Sequence, residues 1–361
     1  MRILHVTPFY EPAWGYGGMA RAAAGLCRGL ARGGHQVTVV TALLDEAHPR
    51  EERADGVRVC RLPSIFRGAL VPWAPALRRF LEAELPATDL VHLHGHRSGL
   101  SVTASRLARS ARVPFVLQPH GTFPHHHQRR FAKAVFDGLW GRALLEAATA
   151  VVAVSVAEAA ELPRAADVVA NGVEPPPLPR SPRRAGGASL LFVGSDRPQK
   201  RARLLPQLLT AIPKARLELV GRYGARFRRG LRSFADRVRV TGVVDPAGGG
   251  EAYARADLVV HPAVAEAFGL VPFEAALAEV PAVVAGGHGC GEWFGRAGGC
   301  VVPPDDAASL IDAVRVRLAD RERAQAEARA VAAFTRRELT WDRSAAALTA
   351  LYEAFARRPA A

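Results

Sequence analysis

Lysine is scarce in this chain of 361 residues: Lys133, Lys200 and Lys214 are the only three among 48 basic residues. The remainder are arginines, so the formal charge of +14 reflects an arginine bias spread along the whole sequence. A solvated basic surface accounts for that better than a dedicated polyanion site. No zinc finger, nucleic-acid-binding repeat or aromatic stacking motif accompanies the charge, and nucleic acid is excluded as an expected partner. Cysteine is equally sparse. Cys27, Cys60, Cys290 and Cys300 lack metal-ligand spacing and read as reduced thiols of a cytoplasmic protein. No apolar run approaches the roughly 18 residues of a membrane-spanning helix. Met1-Arg-Ile-Leu-His-Val6 passes straight into a strand pattern, without signal-peptide architecture.

With 49% hydrophobic and 23% charged residues, the chain has the composition of a soluble globular protein. Its length exceeds one ordinary core, so two domains are expected. Strand and helix patterns alternate. Residues 3–6 read as a first strand, followed by a loop over residues 7–19 with Gly15, Gly17 and Gly18. Residues 21–32 have helical spacing, and residues 37–41 form a second strand. The loop is too long for G-x-G-x-x-G, and a nicotinamide site is excluded. Further strands are expected near residues 90–94, 114–118 and 150–155. His92, His94 and His96 alternate along one of them, but with no carboxylate adjacent they do not read as a metal site. His125-His126-His127 reads as a solvated loop.

Residues 128–148 are basic and amphipathic, with Arg129, Arg130, Lys133 and Arg142 among Phe131, Val135, Phe136, Leu139 and Trp140. Such a helix either lies on an anionic membrane surface or packs its apolar face on its own domain, and the second reading is preferred. A Pro/Gly-rich stretch over residues 175–188 reads as a linker, after which the strand–helix alternation restarts at Ser189.

One stretch stands out in the second half. Leu258-Val259-Val260 reads as a buried parallel strand. Glu266 follows in the loop and Glu274 in the early part of a helix starting near Gly269, with Pro272 in its first turn. A loop at the carboxyl end of such a strand is where open α/β sheets bind ligands. The helix N-terminus offers free N–H groups to a diphosphate. Two solvated glutamates would give the same spacing, and only the surroundings decide.

Glu266 and Glu274 around Phe268-Gly269-Leu270, followed by Glu-Ala-Ala-Leu-Ala, resemble the signature of the retaining glycosyltransferases of family 4, which have the GT-B fold. His120-Gly121-Thr122 at a strand end and Asn171-Gly172-Val173 add weaker likenesses. The resemblance implies two Rossmann-like, doubly wound α/β domains facing across a cleft. The first would span residues 1–174, with a C-terminal helix over residues 341–361 packing back on it. The second, which binds nucleotide sugar, would span residues 189–340. It further implies transfer of a sugar from a UDP-, GDP- or ADP-sugar to a hydroxyl acceptor, without a cofactor or metal, as in polysaccharide precursor synthesis. His120 would line the donor sugar, Glu266 would meet the sugar hydroxyls and Glu274 the ribose. Phe268, Gly269 and Leu270 would lie against the donor, and Gly17, Gly18 and Gly194 would close on phosphate. Lys200 stands where the family has its diphosphate-binding lysine. Ser195 replaces the family arginine, leaving Arg197 or Arg201 to supply that charge. The net charge and the basic segment extend the expectation to a lipid-linked acceptor and peripheral contact with an anionic membrane. A same-fold sugar-nucleotide epimerase or phosphorylase, and a non-catalytic polyanion binder, are the rival readings. Lys214 is ill placed for a pyridoxal lysine, and polyanion binding leaves Glu266 without a role.

Overall fold

The structure, a computed structural model, describes residues 1–67, 70–123, 130–177 and 188–355. The chain divides into two compact units: Met1–Gly172 with Trp341–Ala361, and Val173–Thr340. Most of the expected linker over residues 175–188, all of His125-His126-His127, Arg129, and the last residues of the 341–361 segment lie outside the described residues.

The first unit contains β1 (Arg2–Val6), β2 (Gln36–Leu43), β3 (Glu51–Ala54), β4 (Val57–Pro63), β5 (Ile65–Arg67), β6 (Leu70–Trp73), β7 (Leu90–His94), β8 (Phe115–Gln118), β9 (Ala150–Ala153) and β10 (Asp167–Val168). Apart from the separate β5–β6 ribbon, they form one sheet in the order β10-β9-β8-β7-β1-β2-β4-β3. The central strands are parallel and carry apolar side chains on both faces, because helices cover both sides. Among the described residues of this sheet, only β3 runs antiparallel, at the edge.

The first helix, Gly18–Arg32, begins earlier than the spacing predicted, so Gly17 and Gly18 sit at its N-terminus rather than in a free loop. Its small residues admit a close neighbour. A Cβ at Gly25 would lie 2.1 Å from the Trp341 ring, so the terminal helix Trp341–Glu353 packs directly on its backbone.

The second unit holds β11 (Ser189–Ser195), β12 (Arg216–Arg222), β13 (Val238–Gly242), β14 (Leu258–His261), β15 (Ala282–Ala285) and β16 (Cys300–Val302). All pair in parallel, in the order β13-β12-β11-β14-β15-β16. A parallel sheet with crossover helices brings the loops after β11 and β14 side by side at one end. Both units are thus doubly wound α/β folds. Among the described residues, no helix is long and apolar enough to cross a membrane.

Candidate active site

The chemistry of the second unit collects at the carboxyl ends of β11 and β14. Lys200 closes a short turn, Pro198–Lys200, just beyond β11. Glu266 lies in the loop beyond β14. Val264 N–H donates to Gln199 O at 2.9 Å and ties the two loops together. As a result the Lys200 ammonium pairs directly with Glu266 Oε2. Burial alone would raise the Glu266 carboxyl, but Lys200 first, and then the neighbouring His261, hold it below its usual range. His261 ends β14 and is 2% exposed, with Nε2 4.0 Å from the same carboxylate oxygen. Burial, assisted by the Lys200 charge, lowers it to about 3, so the ring is neutral. The site therefore holds a fixed ammonium, a fixed carboxylate and a neutral imidazole.

The loop that carries Glu266 is built around Gly269. Gly269 has φ +74° and caps the helix Leu270–Leu277; a Cβ there would lie 2.6 Å from Cys290 Sγ and 2.9 Å from Glu266 Cγ. Glycine is required both for the left-handed turn and for this close approach. His288 caps the next helix, Gly289–Arg296: its Nε2–H donates to Ala263 O at 2.8 Å while Nδ1 accepts from Gly291 N–H. This staples the helix to the start of the Glu266 loop, and Cys290 N–H donates to Glu266 O at 3.3 Å. The Cys290 thiol is pushed well up by burial and stays protonated.

The other expected site residues do not all converge. Glu274 is 3% exposed, and its Oε2 accepts a hydrogen bond from Tyr253 Oη at 2.8 Å. Phe268, also 3% exposed, stacks on Phe273 at 5.4 Å and belongs to an aromatic cluster with Trp293, while Leu270 opens the helix. Gly194, near the end of β11, is in register with Gly221 of β12 and lies close to the Lys200 stem. Arg201 is anchored elsewhere: its φ is +49°, and its guanidinium donates to Pro304 O and lies 3.7 Å from Asp305. Arg197 is exposed. Of the two arginines proposed to replace the family residue, only Arg197 is without such an anchor among the described residues.

In the first unit, His120 follows β8 in the left-handed region at φ +53°, and Gly121 follows it at φ +74°. Such backbone strain persists only where the surroundings enforce it. Here Gly121 N–H donates to the buried Glu158 carboxylate, which also accepts from Val154 N–H at 2.8 Å. Thr122 Oγ1 accepts from His96 N–H at 2.8 Å, and Arg97 donates to Thr122 O and Phe123 O. Gly17 has φ +93° and is exposed, with Gly18 beginning the helix.

Two sequence readings are corrected. His96 does have a carboxylate partner: Asp137 Oδ1 lies 3.1 Å from its Nε2, supplied by a helical turn too distant in sequence to be seen. His96 also lies beyond the end of β7, whereas His92 and His94 share one of its faces. The preferred inward packing of residues 128–148 holds only in part. Phe136, Leu144 and Leu145 are buried, but Phe131, Val135 and Leu139 are exposed at 84%, 43% and 60%. The sequence reading also passed over His261, His288 and Glu158. For Glu158 a signal was present: Ser155-x-x-Glu158 is a helix-start pattern, and Ser155 Oγ does accept from Glu158 N–H.

Comparison with known proteins finds relatives along nearly the whole chain. Residues 16–176 match the family described as Glycosyltransferase Family 4, and residues 187–320 match Glycosyl transferases group 1. The chain is 31% identical to a D-inositol 3-phosphate glycosyltransferase of Xylanimonas cellulosilytica, over 100% of this chain and 97% of that one. It is 29% identical to a glycogen synthase of Mycobacterium tuberculosis, over 99% of this chain and 95% of that one. Among solved structures, Anabaena HepE in complex with UDP and glucose superimposes with a TM-score of 0.77 at 18% identity, covering 98% of this chain and 100% of that one.

Proposed function

Because the chain belongs to the glycosyltransferases of the GT-B fold, we propose that it is a family-4 enzyme acting with retention on a UDP-, GDP- or ADP-sugar. The observation that carries this reading is the Lys200–Glu266 pair beside the N-terminus of the helix Leu270–Leu277. A departing nucleoside diphosphate gathers negative charge, which a fixed ammonium and free helix N–H groups stabilise without reorganising. Lys200 and Arg197 take that role. Glu266 accepts hydrogen bonds from the sugar hydroxyls, Glu274 from the ribose, and His120 meets the transferred sugar. As the anomeric C–O bond to the diphosphate breaks, the acceptor hydroxyl attacks from the same face. Its proton passes to the leaving phosphate oxygen, which guides the attack and accounts for retention. The protein's charged groups supply the stabilisation in this scheme, without a metal. The test is incubation with UDP-glucose, ADP-glucose and GDP-mannose, following nucleoside diphosphate release and protection against thermal unfolding. Absence of both with every donor would sink the reading.

Glu274→Ala is expected to weaken nucleoside diphosphate binding by roughly 1.5–3 kcal/mol, the range for a charge-assisted hydrogen bond. Calorimetric titration with UDP, GDP and ADP checks this. Because Glu274 is buried against Tyr253, melting is recorded in parallel to separate lost binding from lost packing. Unchanged affinity in a folded variant removes the assignment.

The acceptor reading extends to a membrane surface. Phe131, Val135 and Leu139 recur along the helical run from Arg130 to Ala147, all exposed, with Arg130 and Arg142 exposed beside them. An apolar stripe flanked by arginines fits an anionic bilayer, with about 1 kcal/mol per basic residue near the surface. Cosedimentation with anionic vesicles is expected at low salt, reduced at high salt and by Leu139→Asp, and little with neutral vesicles. Equal, negligible binding to both vesicle types leaves a soluble acceptor.

A further inference from the structure

The first unit contains a run of four imidazoles, of which only His120 has been given a role above. In the parallel register of β1 and β7, His5 stands beside His92. Two residues along β7 is His94, and His120 lies just beyond β8. The rings stack: His5 is 4.9 Å from His92 and 5.2 Å from His94, and His94 is 5.1 Å from His120. His5, His92 and His94 are 0% exposed. Two hydrogen bonds thread three of the rings. His5 Nδ1 lies 2.9 Å from His94 Nε2, and His94 Nδ1 lies 2.8 Å from His120 Nε2. His92 stands outside this thread, held by Tyr352 Oη of the terminal helix through its Nδ1.

Burial lowers His5 and His120 to about 3 and drives His92 and His94 well below the usual range, with mutual repulsion adding to the effect on those two. Each ring therefore carries one proton, and each bond in the thread needs one donor and one acceptor. Only two arrangements satisfy both bonds, and they run in opposite directions. The choice is made at the far end, where His5 Nε2 is buried without a partner among the described residues. A proton there would leave an orphaned buried N–H, which proteins avoid more strictly than an unused acceptor. His5 therefore carries its proton on Nδ1 and donates to His94. His94 then donates from Nδ1 to His120 Nε2. The single proton of His120 is left on Nδ1, the nitrogen that the thread does not use.

We propose that His5 and His94 are positioning residues that lock His120 as its Nδ1–H tautomer, so that this ring meets its ligand as a neutral hydrogen-bond donor. The ligand atom it suits is an oxygen lone pair, such as that of a sugar hydroxyl. This rests on the reading above that His120 meets the transferred sugar. The strained turn at His120 and its braces to Glu158, His96 and Arg97 hold the ring where the thread reaches it.

The test is nitrogen-15 NMR of the full chain labelled at histidine, which distinguishes the tautomers directly and needs no substrate. The expected result for the unmodified protein is an Nδ1–H signature for His120 that does not titrate between about pH 5.5 and 8. In His94→Phe the ring should become a tautomer mixture, while the burial that phenylalanine preserves keeps it neutral over the same range. In His94→Asn, whose amide N–H can stand in for Nδ1–H, the signature should be retained. With whichever of UDP-glucose, ADP-glucose or GDP-mannose is turned over, His94→Phe should lower kcat on the order of 10–100-fold, the usual loss when an orienting partner is removed, with donor KM little changed. An Nε2–H or titrating His120 in the unmodified protein overturns the proposal. If the lock is present and His120→Ala keeps full turnover, the lock stands and the placement of His120 at the sugar falls.

Discussion

Replacing Lys200 by alanine is expected to slow glycosyl transfer by roughly 10²–10³-fold, the loss of about 3–4 kcal/mol that follows removal of one preorganised charge-stabilising donor. Donor binding should suffer less, because the negative charge on the diphosphate is greatest as the bond to the sugar breaks. The ion pair to Glu266 gives the variant a second signature. The Glu266 carboxyl is held below its unfolded value of 4.5. Its contribution to stability is therefore complete above about pH 4.5 and is lost as pH falls through the lower folded value. Lys200→Ala removes the partner chiefly responsible, so the stability gap between wild type and variant should be widest near neutral pH and shrink on acidification. Urea unfolding at about pH 7 and about pH 4 measures that gap. Arg201→Ala should affect catalysis less than Arg197→Ala, since Arg201 is committed to Pro304 O and Asp305. Full activity in Lys200→Ala, Arg197→Ala and Arg201→Ala alike would show that the charge has been assigned to the wrong groups.

Gly221→Ala is expected to cost the second unit roughly 3–5 kcal/mol, from overpacking and backbone strain together. Gly221 has φ +132°, and a Cβ would lie 1.7 Å from Gly194 O on the adjoining strand. Neither group is the far end of a flexible side chain, so β11 and β12 must separate or one must twist. Set against a total stability of about 5–15 kcal/mol, the loss threatens folding itself. Gly194→Ala is the control. Its Cβ would meet the Phe192 ring at 3.2 Å, a side-chain contact that needs relief of only a few tenths of an ångström, so the expected cost is about 1 kcal/mol. Thermal unfolding of both variants decides the point: similar melting temperatures would contradict the close approach of the two strands. Gly194 also lies beside the Lys200 stem, so a Gly221→Ala protein that folds should show impaired turnover.

The division between what is legible in the sequence and what is not follows the range of the interactions. Short β-branched runs such as Leu258-Val259-Val260 are enough to indicate a buried parallel strand, because both of its faces must be apolar whatever its neighbours are. The start of the helix after Gly269 and the terminal helix from Trp341 were equally legible, since caps and periodicity are local. The spacing of Glu266 and Glu274 pointed to the loop-and-helix site for the same reason. Who meets whom was not legible. Parallel neighbours arrive through long crossovers, so no local pattern shows that Lys200 pairs with Glu266, that Asp137 answers His96, or that Tyr352 reaches His92. Side-chain direction was also decided in three dimensions. Arg201 sits in a left-handed turn and is committed to Pro304 O and Asp305, and Phe268 completes an aromatic cluster. The sequence by itself determined the alternation of elements, the two-unit plan and the position of the glutamate loop, because these depend on periodicity and chain composition. Tertiary structure alone decided the Lys200–Glu266 pair and the histidine thread. Both depend on strand order and register, which bring together residues far apart in sequence and bury them where a single unpaired nitrogen can fix the direction of a chain of hydrogen bonds.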